Sequence, residues 1–348
     1  MTDTSQSSRG LVFLGMVIDM EPIPNAENLV KATAVCGKGG KWMSPVRKEE
    51  FKIGDKCNVY LPDSIVPTTP TFEFMRRYHF RVRQMRLRGC PSECLIMPYE
   101  YGAETGDDIT MVSGVTKYEK TVPGANMSGT VLGRFPARIP KTDEPNFQAV
   151  PHIVEYMTGK RYYSTEKVDG TSCTAYYRKY APAGDNSITQ YPHGHFGVCS
   201  RNLELVEDDK NVYWAVAKKY KLQEKLPCMG EYAIQFEIVG PGIQGNPMGL
   251  REREARVFDI ISLSENRYLN WLDIDKFCID LDIPPVQLIN YGLPFMMNHD
   301  QLQAFVEDKV YANGTPVEGV VFRTIEPEWL LKDRVSFKVI NLKYKEKE

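Results

Sequence analysis

A lysine and an aspartate alternate just before a glycine in Ser164-Thr165-Glu166-Lys167-Val168-Asp169-Gly170-Thr171-Ser172. In an extended strand, residues two apart point to the same side, so Lys167 and Asp169 would share one face. An amine and a carboxylate then meet in one place, and Gly170 permits a tight turn or the close approach of a phosphate. Such a set suits a lysine nucleophile attacking phosphorus, with the carboxylate placing a metal ion beside it. It equally suits a surface ion pair beside a hairpin glycine. Glu237 and Glu318 lie in apolar, strand-like runs, Ile234 to Val239 and Val317 to Phe322. An unpartnered carboxylate is costly there, so each asks for a cation, although a half-exposed strand carboxylate meets the same pattern.

The order of segments downstream separates these readings. Lys167-Val168-Asp169-Gly170 is followed by Ser200-Arg201-Asn202, Phe236-Glu237-Ile238-Val239-Gly240-Pro241-Gly242-Ile243-Gln244, Val257-Phe258-Asp259, Val317-Glu318-Gly319-Val320-Val321 and Ser336-Phe337-Lys338. This series resembles the ordered motifs of the covalent nucleotidyltransferases, which comprise ATP-dependent DNA and RNA ligases and GTP-dependent capping enzymes. Within that superfamily it looks like RNA ligases with an amino-terminal OB domain. The motifs run from Glu166 to Lys338, about half the chain.

The resemblance implies that Lys167 attacks the α-phosphorus of ATP and forms a lysyl-AMP phosphoramidate. A lysine at its ordinary value of about 10.4 is protonated at neutral pH, so an adjacent cation must make it reactive. Mg²⁺ or Mn²⁺ held by Asp169, Glu237 and Glu318, mostly through water, would do so. By the same resemblance Glu166 faces the adenine, Phe258 stacks on it, Arg201 reaches the ribose or the strand end, and Lys338 contacts the α-phosphate. RNA ligases of this kind usually carry two lysines one residue apart in the last motif. Here Lys338-Val339-Ile340 has an apolar second position, for which Lys343 or Lys345 could substitute.

The elements that must hold these residues fall into two blocks. From Leu11 to about Met111 short apolar runs alternate with turn residues, and strands are expected at Leu11 to Ile18, Leu29 to Val35, Lys56 to Leu61, Phe80 to Leu87 and Cys94 to Met97. Five strands in that length suit an OB-fold, which binds single strands on its open face. Ile23-Pro24-Asn25-Ala26-Glu27-Asn28-Leu29 also resembles a segment of tRNA-binding OB modules. Residues 121 to 143, rich in Pro, Gly, Lys and Arg, read as a linker. A helix capped by Asp143 or Glu144, with Pro145 in its first turn and Gly159 at its end, is expected next. Strands near Arg161 to Glu166, Ser172 to Arg178, Gly197 to Cys199, Tyr232 to Val239, Arg256 to Ile261 and Gly319 to Arg323 alternate with helices over Lys210 to Leu222, Trp271 to Leu281 and Asp300 to Lys309. The expected class is α+β: an OB-like barrel in 1–120, a linker in 121–143 and a mixed nucleotidyltransferase domain with antiparallel sheets in 144–348.

At 348 residues, 42% hydrophobic and 25% charged, with 26 Gly and 23 Pro, the chain is neither disordered, collagenous nor coiled-coil. No apolar run approaches the roughly 20 residues that cross a bilayer, and Met1 to Arg9 is polar, so neither secretion nor membrane insertion is expected. Eight dispersed cysteines suggest a reducing compartment, cytoplasmic or nuclear. Cys90 and Cys94 are spaced one residue too far apart for the commonest zinc pair, and His193 with His195 read as loop residues. Gly240 to Gly245 matches a dinucleotide fingerprint, but Asn246-Pro247 follows where a helix should open, so a loop is expected.

A formal charge of −2 argues against binding nucleic acid by bulk charge. Locally, Arg76, Arg77, Arg81, Arg83, Arg86 and Arg88 lie between Phe74 and Ser92 without an Asp or Glu. With Phe72, Phe74, Tyr78 and Phe80 they suit phosphate contacts and base stacking, or else a solvated strand edge over core aromatics. The expectation is a monomeric ATP-dependent RNA ligase that joins a 3′-OH to a 5′-phosphate in RNA repair. A capping-type guanylyltransferase or DNA ligase shares the lysine chemistry, and an inert RNA-binding protein is the reading from another class.

Overall fold

The computed structural model describes residues 10–118, 129–141, 143–179 and 194–344. The chain divides into two compact units, Met1–Lys120 with Pro145–Tyr156 and Ile340–Glu348, and Thr121–Glu144 with Met157–Val339.

In the first unit, β1 (Val12–Pro22), β2 (Leu29–Val35), β3 (Lys41–Arg47), β4 (Lys56–Tyr60) and a later strand form a five-stranded antiparallel sheet. A small hairpin, β5 (Met85–Leu87) with β6 (Cys90–Ser92), precedes that last strand, β7 (Leu95–Pro98), and the sheet order is β3-β2-β1-β4-β7. Apolar residues on alternate positions fill its interior: Val17, Ala32, Ala34, Trp42, Cys57 and Val59 are wholly buried. The sequence reading misses β3 because of Pro45. In the sheet order β3 is an end strand, where a missing N–H costs nothing.

The expected strand over Phe80 to Leu87 is corrected to Met85–Leu87 alone. Pro70–Tyr78 forms a 3-10 helix that turns Phe72 and Met75 inward, and His79 and Phe80 then take left-handed φ values of 52° and 57°, which no strand sustains. The β5–β6 turn is Arg88-Gly89, both at positive φ, the geometry that matches strand twist in a two-residue hairpin.

The second unit holds two large antiparallel sheets besides a small hairpin, Trp329–Leu330 with Asp333–Arg334. The larger is seven-stranded, with order β8-β12-β11-β10-β13-β14-β15, and its central strands carry motif residues. Its members are β8 (Val131–Arg134), β10 (Thr171–Arg178), β11 (His195–Cys199), β12 (Leu203–Leu205), β13 (Tyr232–Val239), β14 (Glu254–Ser262) and β15 (Arg267–Tyr268). The smaller is four-stranded, with order β16-β9-β17-β18, from β9 (Arg161–Lys167), β16 (Leu288–Pro294), β17 (Gly319–Thr324) and β18 (Ser336–Ile340).

Among the described residues five α-helices accompany the sheets: α1 (Pro151–Met157), α2 (Val212–Lys219), α3 (Leu222–Met229), α4 (Trp271–Leu281) and α5 (His299–Glu307). Trp271, Ile274, Phe277, Cys278 and Leu281 form the inward stripe of α4, each burial contributing about 1.5–3 kcal/mol for the large side chains. Asn211 caps α2 by accepting from the N–H groups of Tyr213 and Trp214, so this helix starts two residues later than expected. The helix expected to begin at Asp143 or Glu144 instead begins at Pro151, because the Glu144 carboxylate is taken by Arg323 and Ser336. No helix among the described residues is long and apolar enough to cross a membrane.

Candidate active site

β9 belongs to the four-stranded sheet and β10 to the seven-stranded one, and Val168-Asp169-Gly170 carries the chain between them. Strand alternation therefore stops at Lys167. Val168 is buried in the main core and anchors the crossing, with Asp169 also buried behind it.

Pairing of Lys167 with Gly319 across β9 and β17 sets Glu318, the residue before β17, beside the lysine. Lys167 Nζ donates to Glu318 Oε2 at 2.5 Å, with the two side chains 23% and 13% exposed. From the other sheet, β13 brings Glu237 to the same crossing. A Cβ on Gly170 would lie 2.3 Å from the Ile238 carbonyl oxygen and 2.7 Å from Glu237 Cγ. The glycine is thus required by space, and it is not among the residues at positive φ. Lys167 thus touches Glu318 at the start of β17, while Glu237 on β13 lies against Gly170, the neighbour of Asp169 in the crossing.

Glu237 stands opposite Arg256 in the β13–β14 ladder, and Arg256 Nη1 also binds Glu254 Oε2 at 2.6 Å. Burial pushes the Glu166 carboxyl up to about 7, with the Arg256 charge pulling against it. Arg256 is a charged member of this neighbourhood that sequence reasoning missed; an arginine two residues before Phe258 offered the only signal. Tyr311 is a second. It is buried, and its hydroxyl is raised by that burial and by the charges of Glu318 and Glu166. Phe258 is the extra residue of a β-bulge: Gln235 faces Asp259 while Phe236 faces Val257. Its ring is half-buried against the main core.

Lys338 lies on β18 with Nζ 4.0 Å from Asp143 Oδ1, and Arg201 Nη2 is 3.4 Å from Asp143 Oδ2. Next to Asp143, Glu144 accepts from Arg323 Nη2 at 2.8 Å and from Ser336 Oγ. Asp259 completes a buried network, binding Arg334 and lying 3.5 Å from Arg323 Nη2. Burial alone would raise the Glu144 carboxyl, but the guanidinium charges of Arg323 and Arg334 and the Ser336 hydrogen bond hold it below its ordinary value. Lys343 is exposed and belongs with the first unit, and Lys345 lies outside the described residues.

In the first unit the arginine stripe is partly paired by carboxylates that precede it in sequence. Arg76 binds Glu73 at 2.5 Å, Arg81 binds Asp63 at 2.5 Å, and Arg86 Nη1 donates to the Gly89 carbonyl. Arg77 and Arg88 are exposed, and Arg83 is half-buried. Of the four aromatics, Phe72 and Phe80 are core residues unable to stack on a base, whereas Phe74 is 52% exposed.

Other candidates resolve simply. Cys90 and Cys94 are buried free thiols. His195 Nε2 pairs with Glu204 Oε1 at 2.8 Å, His193 lies outside the described residues, and Gly240 to Gly245 form a turn-rich loop. Among the described residues no three His, Cys, Asp or Glu side chains are close enough to hold a metal ion directly. Hard carboxylate oxygens around Lys167 suit an ion that keeps its waters, as Mg²⁺ does.

Comparison with known proteins agrees with this architecture. An OB-fold domain model matches residues 11–99. Among solved structures, a Naegleria gruberi RNA ligase variant with ATP and Mn is 28% identical at a TM-score of 0.81, covering 98% of this chain and 99% of that one. A variant with AMP and Mn is 29% identical at 0.80, with 98% and 99% coverage. The ligase with PPi is 29% identical at 0.79, with 97% and 98% coverage. No curated protein matches the chain. The RNA ligase model itself spans residues 160–340, over half the chain and every strand that meets at the Lys167 crossing: this protein belongs to the RNA ligase family.

Proposed function

We propose that the protein joins a 3′-OH RNA end to a 5′-phosphate end at the expense of ATP, in RNA repair or end sealing. Lys167 Nζ forms a bond to the α-phosphorus of ATP while the bond to the β-phosphate oxygen breaks and pyrophosphate leaves. AMP then passes to the 5′-phosphate, and the 3′-hydroxyl attacks that RNA-adenylate and releases AMP. The carrying observation is the Lys167–Glu318 contact at 2.5 Å, at the crossing that also gathers Asp169 and Glu237.

Asp169, Glu237 and Glu318 would hold the divalent ion, Mg²⁺ or Mn²⁺, mostly through water, and the ion would supply charge neutralisation at the transferred phosphate. Glu166 and Phe258 would bind the adenine, Arg201 the ribose or strand end, and Lys338 the α-phosphate. The ATP, AMP and Mn of the solved relatives support this reading. So do eight free cysteines for a reducing, intracellular setting. Arg76, Arg77, Arg81, Arg83, Arg86 and Arg88 of the OB unit would contact the RNA backbone.

Sealing assays on nicks with RNA or DNA on either side, supplied with ATP or GTP, test the proposal. ATP-dependent sealing of 3′-OH RNA is expected. Preference for GTP, or for DNA on the 3′-hydroxyl side, would contradict it.

A further inference from the structure

Pro140, Lys141, Asp143 and Glu144 are each held by contacts within the second unit. Gln235 Nε2 donates to the Pro140 carbonyl at 2.7 Å, and Lys141 Nζ to Asn202 Oδ1 at 3.1 Å. Asp143 bridges Arg201 and Lys338, and Glu144 holds Arg323 and Ser336. Ser336 and Lys338 are two apart on β18, so the contacts of Glu144 and Asp143 are successive rungs on that strand. The main chain at 143 is therefore fixed relative to Lys338, while the Asp143 carboxylate is 56% exposed and its two contacts are long, at 3.4 and 4.0 Å.

We propose that Asp143 is a built-in stand-in for substrate phosphate: its carboxylate occupies the space between Arg201 and Lys338 and, as a nucleotide enters, yields Lys338 to the phosphate and Arg201 to the ribose. The inference rests on the reading that Lys338 contacts the α-phosphate. A single carboxylate spanning two cations keeps them from repelling and orders them before substrate arrives. A phosphate brings more charge and more acceptor oxygens and displaces it. Because Glu144 keeps the main chain in place, the displaced carboxylate stays near the bound phosphate and weakens its hold. Asp143 is thus a positioning residue that lowers nucleotide affinity, which favours release of AMP after each turnover.

The test is calorimetric titration of AMP in the absence of divalent ions, with wild-type protein, Asp143→Asn and Asp143→Glu, alongside labelling of the wild type with α-labelled ATP and Mg²⁺. Asp143→Asn is expected to bind AMP roughly three- to tenfold more tightly, and Asp143→Glu to stay near wild type. A purely structural bridge predicts the opposite, because losing it would disorder Lys338 and weaken binding. If the wild type is labelled while Asp143→Asn binds AMP no more tightly, the stand-in role is overturned and the ligase reading stands. If the wild type takes no label, the reading beneath fails and this inference with it.

Discussion

At the scale of single residues, the site combines groups whose properties are set by where the chain crosses between sheets. Glu166, raised to about 7 by burial, is bound by a simple linkage. Its folded-state value lies above the unfolded one, so between about pH 4.3 and 7 the folded protein holds more of this proton than the unfolded chain. This carboxyl therefore costs stability as pH rises through that window. Glu166→Gln should be more stable than wild type at pH 8, with the advantage fading toward pH 4.5, as read from melting temperatures across that range. Gly170→Ala meets a backbone carbonyl and the Glu237 side chain at distances no real Cβ tolerates. It should lose about 1–3 kcal/mol in chemical denaturation and slow adenylation, because relief requires β13 to move with its carboxylate. Lys167, Glu237 and Lys338 were legible in the sequence because each is a chemically loaded type in a strand-like run, and Asp169 because it sits two residues after Lys167 beside a glycine. Asp143 and Tyr311 were not, since their partners lie far away in sequence, and Arg256 meets Glu237 only through the β13–β14 ladder.

Among elements, strands with uninterrupted apolar patterning were legible to within a residue or two: β13 and α4 lie where expected, and β9, β10, β14 and β17 nearly so. Failures have identifiable causes. Pro45 masked β3, the alternation of Arg and apolar residues after Phe80 imitated a strand that left-handed residues forbid, and Glu144 read as a cap although its partners are on β17 and β18. That last pairing has a consequence for stability. Arg323 is 3% exposed on its side chain, so Glu144→Ala leaves its buried guanidinium to share Asp259 with Arg334. A loss of about 3–5 kcal/mol is expected in urea unfolding, with a smaller loss for Glu144→Gln, which keeps a hydrogen-bond acceptor. Equal stability of Glu144→Ala and wild type would mean that the network does not hold this segment to β18.

For the molecule as a whole, the two-block organisation, OB-fold sheet first and mixed antiparallel sheets after, was legible from strand spacing and motif order. The meeting of the two sheets at Lys167 was not, because it depends on registers such as Lys167 with Gly319, more than 150 residues apart. Net charge says little about RNA binding in a chain at −2, whereas exposed arginines on the OB unit say more. Replacing Arg77 and Arg88 together by Ala should weaken single-stranded RNA binding. It should also flatten the dependence of log affinity on log salt by about 0.7 for each phosphate that is no longer neutralised, measured by fluorescence anisotropy. An unchanged slope would remove both arginines from the RNA interface.

The proposed ligase chemistry turns on a covalent bond between the Lys167 nitrogen and AMP. Intact-mass spectrometry of wild-type protein and Lys167→Ala after incubation with ATP and Mg²⁺ tests it directly. The predicted result is a wild-type species heavier by one AMP, reversed by pyrophosphate, with the added mass mapping to the peptide that contains Lys167 and no such species in the variant. A wild type that gains no mass, or a variant that gains the same mass, would contradict it.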